Sequence, residues 1–159
     1  MRVRAAEPAD IAAMVRLADR KRRQYVAYQP VFWRLAPSAR AHHKEFLQRL
    51  VDDPDALSLV ATLDGDVRGF VVGRLVPAPP IYDPGGPSLY VDDFVVSHDG
   101  EWSSIGAALL RGVRQLGAAR GAAQVVVVSG ALDSAKRRLL ADADLEVASE
   151  WWVGRLSGP

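Results

Sequence analysis

The sequence predicts an α/β domain built on a mixed, mostly antiparallel central sheet of six to seven strands, with helices on both faces. Three observations lead to this prediction. Strand-type and helix-type hydrophobic patterns alternate along the chain, two strand-like runs flank an Asp-Gly turn at 64–65, and four consecutive valines at 125–128 are typical of a strand buried on both faces. A chain of 159 residues has room for one hydrophobic core, so we predict a single domain over residues 1–159.

The N-terminal part is predicted to hold one short strand and two helices. Val3 and Arg4 open the chain as a strand, and a helix follows from about Ile11, where apolar residues recur at helical spacing. Residues 21–37 are rich in aromatic side chains and contain proline, so we predict an irregular segment that covers part of the domain. A second helix is expected over residues 38–51.

A β-hairpin is predicted after the second helix. Leu57–Leu63 and residues 67–76 are strand-like, and the Asp-Gly pair between them accommodates positive φ at little steric cost. Residues 77–87 contain too many prolines to pair in a sheet, and we predict a loop there. Residues 89–96 are strand-like again.

The C-terminal part alternates helix and strand. Residues 105–121 show helical apolar spacing, and the valine-rich strand spans residues 124–129. Asp133 or Ser134 can cap a last helix that runs through Leu140. Residues 146–156 are predicted to close the sheet as one or two strands.

Charge and cysteine content exclude several classes of function. The 20 basic and 19 acidic side chains give a formal net charge of +1, so the chain has no field that would favour a nucleic acid or an anionic membrane. The absence of cysteine excludes disulfides, thiolate zinc sites and a cysteine nucleophile. His42 and His43 are neighbours on a predicted helix and point about 100° apart, so we predict no metal site.

Localisation is predicted from two patterns that the sequence does not contain. No apolar run approaches the ~20 residues of a membrane span, and the N-terminus lacks the apolar run of a signal peptide. We therefore expect a cytoplasmic protein that has no membrane partner.

The chemistry is expected in the segment from Tyr90 to Leu110. A buried strand ends there, a polar loop follows at 97–104, and a helix then opens on small residues. Backbone N–H groups without partners converge at the positive end of such a helix. This segment therefore predicts an anion site.

The segment resembles the coenzyme A loop of the GNAT (general control non-repressible-related N-acetyltransferase) acyltransferases. Their pattern is Arg or Gln, two free positions, Gly, one free position, then Gly or Ala. On this chain it falls on Glu101, Ser104 and Gly106, and residues 105–110 match the usual helix opening. The order of elements also matches the family over nearly the whole chain. The resemblance implies the acyl-CoA N-acyltransferase fold, with acetyl-CoA as co-substrate and no metal.

The resemblance also implies which residues contact acetyl-CoA. The central strand would hold the pantetheine arm, the loop would hold the pyrophosphate, and the backbone N–H of Val95 or Val96 would polarise the thioester carbonyl. The expected contacts are Phe94, Val95, Val96, Glu101, Trp102, Ser103, Ser104, Ile105, Gly106 and Ala107. The basic run 136–138 is a candidate for a coenzyme A phosphate, and the alternative is a solvated helix face.

In GNAT enzymes the acceptor amine attacks the thioester directly, within a ternary complex. A general base is needed, and Asp92 and Asp93 are the candidates. Because side chains alternate along a strand, we expect only one of them to face the cleft, and we prefer Asp92. The alternative is that one aspartate is solvated and the other pairs with an arginine. Tyr90 is our first candidate for the acid, followed by Ser129 and Ser134.

The acceptor is expected to be a primary amine on a small molecule or a peptide. Family members shape the acceptor site with the segment that here contains Tyr25, Tyr28, Phe32 and Trp33. These aromatic side chains are therefore the predicted acceptor-binding residues. The alternative is that they fill space beneath the helical cover.

Three positions depart from the family pattern and keep a second function open. Glu101 replaces a cation or amide, Leu140 stands where a tyrosine often protonates the thiolate, and Asp144 replaces a glycine. The alternative is therefore a weak or inactive module that binds acyl-CoA or another anion as a sensor or interaction protein.

A homodimer is also predicted to be possible. Trp151 and Trp152 would alternate across a C-terminal strand, so one would face the core and the other a partner or the cleft.

Overall fold

The computed structural model describes residues 1–156. The strands and helices follow in this order: β1 (Arg2–Ala5), α1 (Ile11–Tyr28), α2 (Ala39–Asp52), β2 (Leu57–Leu63), β3 (Asp66–Val76), β4 (Ser88–Val96), α3 (Ala107–Ala119), β5 (Gln124–Val127) and α4 (Ser134–Asp142). A 3₁₀ turn at Asp99–Glu101 and a π-helical turn at Trp102–Gly106 lead from β4 into α3. Among these residues no helix has the length and apolar character that a membrane span requires.

The sheet is mixed and mostly antiparallel, as the sequence predicts. Its strands lie in the order β1-β2-β3-β4-β5, and only the β4–β5 pair is parallel. Within residues 1–156 it has five strands, so the predicted six to seven are not confirmed. Residues 146–156, which were expected to add the missing strands, have no regular secondary structure.

Helices cover both faces of the sheet. On one face Met14 of α1 and Leu47 of α2 form a core with Val60 of β2. On the other face Leu109 and Val113 of α3 form a second core with alternate strand residues. Each central strand therefore contributes to both cores, because successive side chains point to opposite faces.

Helix α1 is longer than the sequence analysis predicts. It continues through residues 21–28, so the predicted irregular segment shrinks to about residues 29–38. The chain between Lys21 and Tyr28 contains no helix breaker, and its apolar face extends from Ala18 through the half-buried Tyr25. Helix α1 ends where Pro30 forces Gln29 into an extended conformation, with φ −151° and ψ 94°.

A bulge in β4 positions the site. Val71 pairs with Phe94, but Gly73 pairs with Val91, so two residues of β4, Asp92 and Asp93, lie opposite one residue of β3. The parallel ladder with β5 also ends here, because its last pair joins Val91 to Val127. Beyond this point β4 and β5 have no ladder pair between them.

Candidate functional site

A cavity of about 370 Å³ lies beside the β4 bulge. Its floor is formed by Asp92 and Asp93, and its walls come from α1, α2, the 29–38 segment and the start of α4. The wall residues used below are Tyr25, Phe32, Trp33, His43 and Lys136. A second recess of about 540 Å³ between α1 and α2 contains no residue of the sheet, so we do not assign it to this site.

Asp93 and His43 form a hydrogen-bonded pair in the cavity. The distance between His43 Nε2 and Asp93 Oδ2 is 2.8 Å, and His43 is buried. Burial alone would raise the pKa of Asp93. The hydrogen bond from His43, together with the charges of His43, Arg22 and Lys136, outweighs burial and holds that pKa below its usual value. Asp93 is therefore a carboxylate paired with a histidine, and not with an arginine as the sequence analysis considered.

His43 was missed as a functional residue because only its adjacency to His42 was considered. It lies on the same face of α2 as Leu47 and Leu50, four and seven positions later, and all three are buried. A histidine on the apolar face of a helix needs a partner inside the protein. Its Nδ1 is buried and has no hydrogen-bond partner within residues 1–156.

Asp92 lies beside the Asp93–His43 pair and stays open to solvent. Desolvation raises the pKa of Asp92, and the negative charge of Asp93 raises it further. Both aspartates line the cavity, so the expectation that only one would face it is corrected. Strand alternation fails here because the bulge inserts one extra residue.

Tyr25 connects the aromatic wall to a buried carboxylate. Its hydroxyl donates to Asp133 Oδ2 at 3.0 Å and accepts from the N–H of Gly130 at 3.1 Å. Burial and the charge of Asp133 raise the pKa of Tyr25 far above its usual value. Lys21 Nζ lies 2.7 Å from the same Asp133 oxygen. Tyr25 is therefore held as a protonated phenol.

The other predicted aromatic residues divide between the cavity and its surroundings. Trp33 packs on Tyr25 with ring centroids 4.9 Å apart, and Phe32 meets Trp33 edge to face at 4.7 Å. The ring centroids of Tyr28 and Tyr25 are 5.7 Å apart, but Tyr28 does not line the cavity. Tyr90, the first candidate for the acid, does not line it either.

Lys136 bridges β4 and β5 where their ladder ends. Its Nζ donates to the carbonyl oxygens of Val128 at 2.7 Å and Phe94 at 3.3 Å. Only 2% of Lys136 is exposed, so its expected roles, as a phosphate ligand or on a solvated helix face, are both corrected. Desolvation lowers its pKa to about 8, although the nearby Asp133 acts in the opposite direction.

The backbone of β4 distinguishes between the two oxyanion candidates. Ser97 N–H donates to Arg68 O at 2.6 Å, across the β3 side of the strand. Because N–H directions alternate along a strand, the N–H of Val95 also points to β3. The N–H groups of Phe94 and Val96 point to the opposite side, where β5 no longer pairs.

The loop before α3 already contains an anion of its own. The Glu101 carboxylate accepts from Arg68 Nη2 at 2.5 Å, from the N–H of His98 at 3.1 Å and from the Ser97 hydroxyl. Burial alone would raise the pKa of Glu101, but these hydrogen bonds and the Arg68 charge lower it. Glu101 therefore occupies the side-chain and backbone donors of this loop. Ser103 and Ser104 remain exposed.

Trp102 fills the space between α3 and α4. Its ring is 2% exposed and meets Phe94 edge to face at 4.9 Å. A Cβ added at Gly106 would lie 2.7 Å from the Trp102 ring and 2.9 Å from Leu139. Gly106, the strict match to the family pattern, is thus also required for packing. The Trp102 Nε1 is buried without a hydrogen-bond partner within the described chain.

The remaining departures from the family pattern lie on and after α4. Leu140 packs against the hydrophobic core, so its side chain contributes to the packing of the interior. Asp144 has φ 60°, a left-handed conformation that glycine adopts more readily. The backbone conformation at this position therefore suits glycine, although the residue is an aspartate.

No family model matches this chain, and no curated protein matches it. Solved structures do match along its full length. A variant of the BH1408 protein from Bacillus halodurans has a TM-score of 0.85 at 16% identity, covering 99% of this chain and 100% of that one. A predicted acetyltransferase from Clostridium acetobutylicum, solved with acetyl-CoA, has a TM-score of 0.73 at 13% identity, covering 97% and 95%.

An aminoglycoside 6′-N-acetyltransferase from Acinetobacter haemolyticus is a third similar structure. Its TM-score is 0.73 at 11% identity, covering 99% of this chain and 100% of that one. At these identities the matches establish the fold. The chain has the fold of GNAT-type acetyltransferases, as the sequence analysis predicts.

Proposed function

We propose that this protein is an N-acetyltransferase that moves an acetyl group from acetyl-CoA to the primary amine of a small molecule or peptide. The observation that carries the proposal is the β4 bulge. It brings a carboxylate with a raised pKa, Asp92, and the Asp93–His43 pair into one cavity beside the open end of the β4–β5 ladder. The fold shared with acetyltransferases supports it.

The cavity suits a cationic amine with an apolar body. Asp92 and Asp93 supply negative charge at the floor, while Tyr25, Phe32 and Trp33 supply aromatic walls. Lys21, Arg22, Arg34 and Lys136 also line the cavity, so the attraction for a cation is confined to its floor. An ammonium between them is attracted to the carboxylates and loses a proton to Asp92, whose raised pKa makes it the stronger base of the two. Asp93 stays ionised and holds His43 in place.

The free amine then attacks the carbonyl carbon of the thioester. A C–N bond forms, the carbonyl oxygen gains negative charge, and the N–H of Val96 stabilises that charge. The attacking nitrogen, which is now positively charged, releases its remaining extra proton to water, the C–S bond breaks, and the thiolate of coenzyme A leaves.

We assign protonation of the thiolate to Lys136. It lines the cavity four residues before Leu140, which is one turn earlier on the same face of α4. Its pKa of about 8 lies close to the ~8.5 of an ordinary thiol, so transfer of the proton between them is nearly balanced. Tyr90, Ser129 and Ser134 are not needed for this step.

Ligand-dependent melting is the first test. Thermal unfolding is compared with and without millimolar acetyl-CoA, coenzyme A and ATP, and a ligand that binds only the native state at a hundredfold excess over Kd adds about 2.7 kcal/mol of stability. We expect the melting temperature to rise with acetyl-CoA and coenzyme A but not with ATP. Release of the coenzyme A thiol is then measured with a panel of amines. If no amine increases the rate of thiol release, transfer of the acetyl group to an amine is contradicted.

The residues in the loop before α3 favour a second function. Glu101 occupies the loop donors, and Trp102 and Lys136 fill the space next to the end of β4. The second candidate is therefore a module that binds acyl-CoA or another anion as a signal, without efficient turnover. Binding of acetyl-CoA without turnover on any amine would favour this second function.

A further inference from the structure

The gap between β4 and β5 contains a primary amine of the chain itself. Beyond the pair Val91–Val127 the two strands have no ladder pair. Lys136 Nζ lies between them, 2.7 Å from the carbonyl oxygen of Val128 and 3.3 Å from that of Phe94. Lys136 also lines the cavity at the β4 bulge. Its amine therefore lies where the gap meets the cavity.

The position of this amine coincides with the place proposed for the thioester. The carbonyl of Phe94 and the N–H of Val96 point to the same side of β4, because backbone directions repeat every two residues along a strand. The proposed function puts the thioester oxygen on the Val96 N–H, and Lys136 Nζ bonds to Phe94 O on that same side. An amine close enough to protonate the leaving thiolate is also close to the carbonyl carbon that the thiolate leaves.

The surroundings of Lys136 favour the neutral, nucleophilic form of its amine. Only 2% of the residue is exposed, and desolvation lowers its pKa to about 8. Burial activates lysine nucleophiles in enzymes in the same way. Asp92 lines the same cavity, and its raised pKa lets it accept the proton that the ammonium loses. The cavity therefore holds a nucleophile together with a base for it.

We propose that acetyl-CoA bound in this gap acetylates Lys136 of the same molecule when no acceptor amine occupies the cavity. The inference rests on the proposed function, because it uses the same thioester site. The neutral Nζ attacks the carbonyl carbon, and a C–N bond forms. The C–S bond breaks, and the leaving thiolate takes the proton that the nitrogen releases. The products are an N-ε-acetyllysine and coenzyme A with a free thiol.

This modification inactivates the site. An acetylated Nζ keeps a single N–H, so it no longer donates to the carbonyl oxygens of both Phe94 and Val128, and the proposed acid is lost. The added acetyl group also occupies space that the thioester needs. An amide is a far poorer acyl donor than a thioester, so the modified chain accumulates as an end product. Self-acetylation therefore switches the enzyme off while its acceptor is scarce.

Mass spectrometry of the full chain tests this inference, because the sequence has only three lysines, Lys21, Lys44 and Lys136. The chain is incubated with isotopically labelled acetyl-CoA and no amine, and digestion then locates the label. We expect one labelled acetyl group at Lys136, at a rate that saturates with acetyl-CoA and rises with pH through about 8. Lys44, which is exposed, should react at least about tenfold more slowly, because only a bound thioester has a high effective concentration.

Two variants and one competitor complete the test. Lys136→Arg keeps a positive charge without an acetyl-accepting amine and should lose the label, while the matched control Lys44→Arg should keep it. A saturating amine that is itself acetylated should slow the labelling, because both nucleophiles use one thioester. The first-order rate constant should not depend on protein concentration. A rate constant proportional to protein concentration, or labelling of Lys44 as fast as Lys136, would overturn self-acetylation.

The outcomes separate this inference from the proposed function. Amine-dependent thiol release with Lys136 unlabelled overturns self-acetylation and leaves the proposed transfer standing. Labelled Lys136 without turnover of any amine supports self-acetylation and contradicts only transfer to an amine. Absence of both label and thiol release overturns both.

Discussion

His43 and Asp93 are 50 positions apart in the sequence, and their side chains meet at 2.8 Å on the floor of the cavity. The contact joins α2 to β4 at the bulge, so it couples the helical cover to the strand that carries the proposed chemistry. Removing one partner of a buried hydrogen bond to a carboxylate leaves the other unsatisfied and costs about 1–3 kcal/mol. The pair is therefore a structural tie as well as part of the site.

We expect His43→Gln to lower both stability and activity. The variant replaces the imidazole that bonds the Asp93 carboxylate with an amide of different shape and reach, and we expect a loss of about 1–3 kcal/mol in the free energy of unfolding at pH 7. The pKa of Asp93 is lowered in the folded state, so its stabilisation is present above pH ~4 and is lost as pH falls through the folded pKa. Wild type should therefore lose more stability than the variant between pH 5 and 3.

Urea unfolding at a series of pH values measures this difference. His42→Gln is the matched control, because His42 lies on the exposed face of α2. Parallel loss of stability with pH in wild type and His43→Gln would contradict a charge-assisted pair.

Asp92→Asn should abolish most turnover without lowering stability. Its pKa is raised in the folded state, so the ionised form is disfavoured on folding and replacing it removes a destabilising charge above that pKa. We expect an unchanged or higher melting temperature and a kcat lower by about 10²–10⁴. Wild-type kcat should fall as pH drops through the raised pKa of Asp92. Turnover within twofold of wild type would remove Asp92 as the base.

The sequence predicted the order of the elements well, because hydrophobic period and turn residues are local signals. The hairpin at Asp64-Gly65 and the position of β5 both follow from such patterns, but within residues 1–156 β5 is an edge strand whose residues are exposed or half-buried, not buried on both faces as expected. The extension of α1 to Tyr28 was missed because aromatic content was given more weight than the absence of a breaker before Pro30. Residues 21–28 contain no glycine or proline, the residues of lowest helix propensity, so the helix continues through them.

The site was harder to predict, because its geometry depends on contacts that are distant in sequence. The β4 bulge places both aspartates in the cavity, and no local sequence pattern at residues 90–96 indicates a bulge. In the sequence Lys136 belongs to a basic run of the kind found on solvated helix faces. Only the fold brings the carbonyl oxygens of Val128 and Phe94 to its Nζ. The sequence signal that separates Lys136 from Arg137 is helical spacing, because Leu139 and Leu140 follow Lys136 at three and four positions and place it on the apolar face of α4.

Lys136→Met should remove the proposed acid and change how stability depends on pH. The folded pKa of about 8 is below the ordinary lysine pKa of 10.5, so the unfolded chain binds more protons between these values and wild-type stability should rise with pH there. The variant should lack this rise, which we expect to be about 3 kcal/mol over the whole interval. Arg137→Met is the control, since it changes the neighbouring charge. Equal slopes for wild type and Lys136→Met would show that Lys136 does not titrate in this range.

Glu101→Gln should strengthen binding of coenzyme A. The substitution removes the anion that holds Arg68 and the His98 N–H, and we expect a Kd for acetyl-CoA lower by about tenfold, which is ~1.4 kcal/mol. Some stability is lost with the Arg68 pair. Isothermal titration measures the Kd, and Asp99→Asn, an exposed loop carboxylate, is the control. An unchanged Kd would mean that the loop donors do not serve a phosphate.

Gly106→Ala separates the packing role of this glycine from a role in ligand binding. The added Cβ would lie 2.7 Å from the Trp102 ring and 2.9 Å from Leu139, so we expect a loss of about 1–3 kcal/mol. Trp102→Leu is expected to relieve most of this clash, and the double variant should be less destabilised than the sum of the two single variants. Thermal unfolding of the four proteins gives the coupling. Additive losses would show that Trp102 does not set the requirement for glycine, and Leu139, the other close neighbour of the added Cβ, would then be the source of the clash.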